Sequence, residues 1–163
     1  MRRPTPPIPQ RVETLMKAVI QRVSRARVEI KGREVASIGA GLLVLLGVER
    51  GDGEEQVEYF ADKLPRLRVF EDEDGRMNRA LDEVGGEILL VSQFTLAARL
   101  EKGRRPSFID AAPPEDARRR YEDLVQRLRD AGVPVQTGHF QEFMQVELVN
   151  NGPVTFLLER RAG

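Results

Sequence analysis

The sequence contains no cysteine, no tryptophan and a single histidine. Without thiols it forms neither disulfides nor cysteine-ligated zinc sites, and one histidine is too few for the paired-histidine metalloprotease motif. We therefore expect no metal and no other cofactor. No apolar run approaches the roughly 20 residues that span a bilayer, and the chain does not open with a charged and then apolar leader. These absences favour a cytoplasmic protein without a membrane partner.

Net charge is also absent, because 26 lysines and arginines balance 26 aspartates and glutamates. The hydrophobic fraction of 40% and the charged fraction of 32% are typical of a globular protein. A length of 163 residues suits one domain. Since the overall field does not attract a polyanion, contact with nucleic acid requires a local basic patch.

The first fifteen residues differ in composition from the rest. They hold four of the ten prolines, at Pro4, Pro6, Pro7 and Pro9, together with Arg2, Arg3 and Arg11. Such a segment favours extended, solvated conformations. We predict a flexible N-terminal extension over 1–15 and a single folded domain over 16–163.

Hydrophobic periodicity predicts more strands than helices. The strands are expected at 17–30, 35–38, 42–48, 67–70, 87–96, 133–137, 144–149 and 154–159. One helix is predicted from an N-cap at Asp52 to Pro65, and a second from Pro113-Pro114 to Gly132. The pattern indicates an α+β fold in which two layered mixed β-sheets form a barrel-like single domain, with two helices on one side.

Two polar segments carry the candidate chemistry. Ser92-Gln93-Phe94-Thr95 follows an apolar strand, and a strand end is a rigid mount for groups that face a ligand. An equally simple interpretation is a strand that runs into a turn, with both hydroxyls bonded to local backbone groups.

The second segment is Asn150-Asn151-Gly152-Pro153-Val154-Thr155, between two predicted strands. Spacing alone makes Gly152-Pro153 an ordinary turn. A cis bond at the same place would direct two carbonyl oxygens the same way and form a stiff main-chain wall. Both interpretations stay open from the residues.

Basic side chains cluster between 99 and 105, where Arg99, Lys102, Arg104 and Arg105 face only Glu101. This segment is suited to bind phosphates, and it also fits a solvated loop.

Both polar segments match a known pair of motifs, SQFT and NxGPxT. In this respect the sequence resembles the D-aminoacyl-tRNA deacylases over nearly all of residues 16–160. The likeness extends to Ile20-Gln21-Arg22-Val23, Gly75-Arg76-Met77-Asn78, Lys102-Gly103-Arg104-Arg105-Pro106-Ser107-Phe108, Gln136-Thr137-Gly138 and Met144-Gln145-Val146. Two departures are the N-terminal extension and Asn151, which stands where many members have aspartate.

The resemblance implies a homodimeric editing enzyme that hydrolyses the ester of D-aminoacyl-tRNA or glycyl-tRNA, with active sites at the subunit interface and no DNA partner. It implies that Gly152-Pro153, with Asn150 and Thr155, is the chirality filter placed in the partner's pocket, and that Arg22 braces it. Ser92, Gln93, Phe94 and Thr95 would line the pocket. The basic residues Lys102, Arg104 and Arg105 are expected to contact the tRNA.

Catalysis in the resembling family relies on the 2′-hydroxyl of the terminal adenosine. Thr95 is the obvious protein nucleophile, but the sequence ties no histidine, lysine or N-terminal amine to it. Two other functions compete with D-specific editing: a related deacylase acting on an L-aminoacyl-tRNA, and a non-catalytic RNA-binding dimer. Ser92, Phe94 and Asn150 favour the D-specific branch.

Overall fold

The computed structural model describes residues 3–4 and 15–161. The predicted extension over 1–15 therefore lies, apart from residues 3, 4 and 15, outside the described residues. The regular elements of the described part are β1 (Leu15–Ile30), β2 (Arg33–Ile38), β3 (Gly41–Gly47), α1 (Glu54–Lys63), β4 (Phe70–Glu71), β5 (Met77–Arg79), β6 (Glu87–Ser92), α2 (Pro114–Asp130), β7 (Val135–Thr137) and β8 (Gln145–Arg161). Neither helix is long and apolar enough to cross a membrane.

Six strands form one mixed sheet in the order β2-β1-β3-β6-β7, with β8 paired to β1. The strand β1 is antiparallel to β2, β3 and β8, whereas β3, β6 and β7 are parallel. Parallel neighbours need a crossover, which α1 with the β4–β5 hairpin provides before β6 and α2 provides before β7. Because β2 also approaches β6 and β7, the sheet curls towards a barrel. The predicted α+β, barrel-like fold class is confirmed.

The two faces of the sheet bury two apolar clusters. Alternation along β3 sends Leu42 and Val44 to the cluster beneath the helices and Leu43 to the cluster inside the curled sheet. The helices contribute one apolar stripe each, with Phe60 of α1 and Leu124 of α2 fully buried. The helices thus cover one side of the sheet, as the sequence pattern predicts.

The strand β1 contributes to both clusters because its pairing with β8 is irregular near its middle. Ile20 packs beneath the helices, but Ala26 packs inside the curled sheet although both positions are even-numbered. The register changes between Val23 and Arg25, where one extra residue of β1 is inserted. An extra residue reverses which side chains face each side, so one strand serves both cores.

The predicted N-cap at Asp52 is wrong. The helix α1 is capped by Gly53, whose N–H donates to the Gln56 Oε1 at 2.7 Å. The buried Asp52 carboxylate turns back instead, and its Oδ2 accepts a hydrogen bond from the Glu49 N–H at 2.7 Å. The carboxylate therefore closes the turn after β3 rather than the first turn of the helix.

Candidate functional site

The Ser92–Thr95 segment lies where the chain leaves β6. The strand ends at Ser92 rather than at Leu96 as predicted, and a 3₁₀ turn occupies Phe94–Ala97. The Gln93 N–H still donates to the Leu46 carbonyl at 2.7 Å, so the turn stays attached to β3. Gly47 permits this contact, because a Cβ there would lie 2.8 Å from the Leu96 Cβ. The segment is thereby fixed at the carboxyl edge of the parallel strands, where ligands of α/β sheets commonly bind.

Two main-chain amides of this turn have no internal partner. The N–H groups of Phe94 and Thr95 open the 3₁₀ turn and form no hydrogen bond with another residue in 15–161. The Thr95 hydroxyl lies 2.5 Å from the Gln93 side-chain amide, which is not a base. The turn therefore offers donors for a developing negative charge, but no general base touches the hydroxyl within the described part of the chain.

An aromatic contact joins this turn to the basic segment. Phe94 is 57% exposed, and the centroid of its ring lies 5.2 Å from that of the Phe108 ring. Phe108 follows a loop closed by two main-chain hydrogen bonds between Arg99 and Ser107, at 2.8 and 3.0 Å. The loop is anchored further by the guanidinium of Arg99, which bonds to the Asp110 carboxylate.

The contact between Arg99 and Asp110 removes Arg99 from the predicted basic patch. Arg99 is neutralised by Asp110, so it is a structural residue of the loop. Lys102, Arg104 and Arg105 are exposed, and none of the three forms a hydrogen bond or ion pair with another described residue. These three cations are available to an anionic partner, in the loop that precedes Phe108 and its contact with Phe94.

The second polar segment is not a turn between two strands. Residues 145–161 form the single strand β8, which pairs with β1 on both sides of Gly152-Pro153. Gln21 pairs with Thr155 and Val23 with Asn150, so Arg22 alone faces the four residues 151–154. The Gly152–Pro153 peptide bond is cis. The prediction of two separate strands is wrong, because a four-residue bulge absorbs the irregularity without reversing the chain.

Asn150 closes the bulge from within. Its Nδ2 donates to the Arg22 carbonyl and to the Val154 carbonyl, both at 2.9 Å. At Gly152 an added Cβ would lie 2.2 Å from the Val154 nitrogen and 2.5 Å from the Asn150 Oδ1, so the bulge has no room for a side chain there. Just beyond it, the Thr155 hydroxyl accepts a hydrogen bond from the Gln21 amide at 3.2 Å.

Arg22 braces the bulge from β1. Its side chain is buried, and its Nε donates to the Asn151 carbonyl at 2.8 Å. Its Nη1 donates to the Val69 carbonyl, also at 2.8 Å, and its Nη2 lies 3.7 Å from the Glu71 carboxylate. The rigid fork of the guanidinium thus ties the bulge to the β4–β5 hairpin.

The structure brings together Arg22, Asn150 and the Gly152–Pro153 bulge, and separately Ser92, Gln93, Phe94 and Thr95, but it does not bring the two clusters together. Along β3 the bulge lies level with Leu42 and Ser92 lies level with Leu46. Four residues correspond to about 13 Å along a strand, and three strand spacings across the sheet add about 14 Å laterally. Within residues 15–161, no hydrogen bond or ion pair connects the clusters.

Three neighbours of the predicted residues have contacts that local sequence pattern does not indicate. Phe108 packs on Phe94, and Gln21 donates to the Thr155 hydroxyl 134 positions away. Glu71 lies near Arg22, although nothing in its local pattern distinguishes it from other exposed carboxylates.

The fold and the two clusters define a single-domain protein with a curled mixed sheet, an exposed turn with free amides and an exposed main-chain bulge. Residues 19–159 match the family model described as D-Tyr-tRNA(Tyr) deacylase, and the chain belongs to this family. It is 55% identical to the D-aminoacyl-tRNA deacylase of Heliobacterium modesticaldum, over 91% of this chain and 99% of the relative. It is 56% identical to the enzyme of that name from Geobacter sulfurreducens, over 90% and 97% of the two chains.

Solved structures with the same fold extend the comparison. One, titled c-Myc DNA Unwinding Element Binding Protein, is 41% identical with a TM-score of 0.84 and covers 90% of this chain and 100% of its own. Another, described as a probable eukaryotic D-amino acid tRNA deacylase, reaches a TM-score of 0.75 over the same shares at 16% identity. The second likeness concerns the fold alone.

Proposed function

We propose that the protein is an aminoacyl-tRNA editing hydrolase that cleaves the ester of D-aminoacyl-tRNA and of mischarged glycyl-tRNA, releasing the free amino acid and tRNA. Membership of the deacylase family supports the reaction class. The observation that carries the assignment is the braced bulge, since Arg22 and Asn150 both hold the Gly152–Pro153 segment at the surface. A tRNA substrate also accords with action in the cytoplasm, where translation takes place.

The filter would act by exclusion. Rejecting an L-amino acid a thousandfold requires about 4 kcal/mol, more than the roughly 1–3 kcal/mol that one methylene contributes in an apolar pocket. A stiff main-chain wall formed by Gly152 and Pro153 penalises an L side chain by clash and desolvation. Glycine has no side chain to clash, so glycyl-tRNA remains a substrate.

A second copy of the chain would complete the site. The bulge and the Ser92–Thr95 turn are separated across the sheet, so the filter of one subunit would enter the pocket of its partner. Two features favour this homodimer: Leu157 of β8 is 61% exposed, and the second edge of β8 has no partner strand within the described range. Sedimentation analysis of the purified chain should give a dimer, whereas a monomer at assay concentrations would contradict the shared site.

The chemistry would be assisted by the substrate. The free amides of Phe94 and Thr95 suit the oxyanion of the tetrahedral intermediate, while Ser92 and Gln93 help to position the ester. Among the described residues no base contacts the Thr95 hydroxyl, so the 2′-hydroxyl of the terminal adenosine would orient or activate the attacking water. Lys102, Arg104 and Arg105 would hold phosphates of the acceptor end.

The decisive experiment compares release of amino acid from D-tyrosyl-, L-tyrosyl-, glycyl- and L-seryl-tRNA. We expect hydrolysis of the D-tyrosyl and glycyl substrates only. Preferential hydrolysis of an L-aminoacyl substrate would favour the L-specific relative. Binding of tRNA without release of any amino acid would favour a non-catalytic RNA-binding dimer.

A second experiment tests the assignment of the 2′-hydroxyl. The Thr95→Ala variant should retain much of its activity, and a substrate with 2′-deoxyadenosine at its end should not turn over. The opposite pair of results would make Thr95 the nucleophile.

A further inference from the structure

The β4–β5 hairpin is the second anchor of the arginine that braces the bulge. The guanidinium of Arg22 is a rigid group that contacts two parts of the chain. Its Nε donates to the Asn151 carbonyl, and its Nη atoms contact the Val69 carbonyl and the Glu71 carboxylate. Because the guanidinium is planar, fixing the Nη end sets the direction of the Nε–H. The position of the hairpin therefore determines where the bulge is held.

Glu71 provides the charge at this anchor. The Arg22 side chain is 7% exposed, and Glu71 is the one carboxylate within 4.0 Å of its guanidinium among the described residues, at 3.7 Å. The hydrogen bonds of the Arg22 guanidinium go to two neutral carbonyls, those of Asn151 and Val69. A buried cation is stabilised by a carboxylate partner, and removing that partner lets the side chain seek other contacts or water.

We propose that Glu71 is a positioning residue for chirality discrimination: it orients Arg22, and through Arg22 it keeps the Gly152–Pro153 bulge in the position that excludes L-aminoacyl esters. This inference rests on the proposed editing function. Glu71 belongs to a different element from both polar motifs, and within the described residues no hydrogen bond or ion pair joins it to the bulge itself.

The expected effect is modest and graded. Glu71 is 59% exposed on its side chain, and an exposed ion pair contributes about 0.2–1 kcal/mol, which corresponds to roughly a 1.4- to 5-fold change. Glu71→Gln should therefore raise the rate on L-tyrosyl-tRNA relative to D-tyrosyl-tRNA by about 1.4- to 5-fold. Glu71→Lys, which places a like charge beside Arg22, should raise this ratio further.

The hairpin offers a matched control. Glu73 follows in the same hairpin and lies 3.7 Å from Arg79, with 93% of its side chain exposed. Glu73→Gln and Glu73→Lys make the same charge changes without contacting Arg22. They should leave the ratio of L to D rates unchanged.

Each variant is assayed for L and D rates and for its midpoint of thermal unfolding. The proposal predicts that the ratio rises for the Glu71 variants while the D rate and the midpoint remain near those of the wild type. An unchanged ratio in both Glu71 variants, or an equal rise in the Glu73 controls, overturns it. A wild-type protein that does not hydrolyse D-tyrosyl-tRNA instead refutes the proposed function, so the two failures are distinguishable.

Discussion

Replacing Arg22 by lysine tests whether the brace depends on the shape of the guanidinium. Arginine donates to the Asn151 and Val69 carbonyls at once, both at 2.8 Å. A lysine ammonium at the end of a flexible stem does not reproduce this fixed fork, so one of the two bonds is lost. Val69 is 7% exposed whereas Asn151 is exposed, so water replaces the bond to Asn151 more readily. We therefore expect the lysine to keep the hydrogen bond to the Val69 carbonyl and to lose the one to the Asn151 carbonyl, which releases the bulge.

The cost follows from the number of bonds lost. A hydrogen bond to a charged group contributes about 1.5–3 kcal/mol, and solvation of the exposed carbonyl places Arg22→Lys at the low end, about 1.5 kcal/mol of unfolding free energy. Arg22→Ala also leaves the buried Val69 carbonyl unpaired, for a total of about 3–6 kcal/mol. The lost bond to Asn151 is also the one that positions the bulge, so we take the same value, about 1.5 kcal/mol, as the energy lost from discrimination. Because every 1.4 kcal/mol is a factor of ten, the D to L rate ratio of Arg22→Lys should fall by about tenfold.

Two measurements check this reasoning: urea unfolding, and hydrolysis of D- and L-tyrosyl-tRNA. Arg27→Lys is the matched control, since Arg27 lies on the same strand with a 43% exposed side chain and an ion pair to Glu147 at 2.7 Å. It should change stability by less than about 1 kcal/mol and leave the ratio unaltered. If Arg22→Lys behaves like Arg27→Lys in both assays, a simple positive charge suffices and the brace argument is refuted.

Three further perturbations have expected outcomes. Burial, opposed in part by the Glu49 N–H, raises the pKa of Asp52 from 3.8 to about 7. The folded state therefore binds this proton more tightly than the unfolded state. The stability gained is fully present below pH 3.8 and is lost as the pH rises through 7, and its full size is about 4 kcal/mol. Asp52→Asn should remove most of this dependence in urea unfolding between pH 4 and 8, and an unaltered pH profile would contradict it. Gly152→Ala should lower the D to L rate ratio because the added Cβ meets the Val154 nitrogen. Gly39→Ala is the control and should leave the ratio unchanged, because nothing lies within 4 Å of a Cβ there. Equal ratios for the two variants would count against the bulge as the chirality filter. Replacing Arg104 and Arg105 together by glutamine should reduce the slope of log affinity for tRNA against log salt by about 1.4–1.8, measured by filter binding, and an unchanged slope would exclude phosphate contacts there.

Much of the fold could be predicted from local pattern. The alternation over 17–30 predicts β1, and the apolar run over 42–48 predicts β3 as a strand buried on both faces. Pro113-Pro114 and Gly132 predict the bounds of the second helix, which lies at Pro114–Asp130. These features are predictable because periodicity and the conformational restrictions of proline and glycine act within a few residues. The two polar motifs are predictable for the same reason, since each is a short stretch of consecutive residues.

The sequence by itself determined both helices, the strands β1 and β3, the family and the residues of both motifs, since each is encoded by neighbours along the chain. Only the tertiary structure decided that β8 is one strand with a bulge, that Asp52 turns away from α1, and that Arg22 joins Asn151 to Val69. Arg22 and Asn151 are 129 positions apart, and Arg22 and Val69 are 47 apart. Strand register and the choice of hydrogen-bond partner are fixed by which distant segments come into contact, so no local pattern records them.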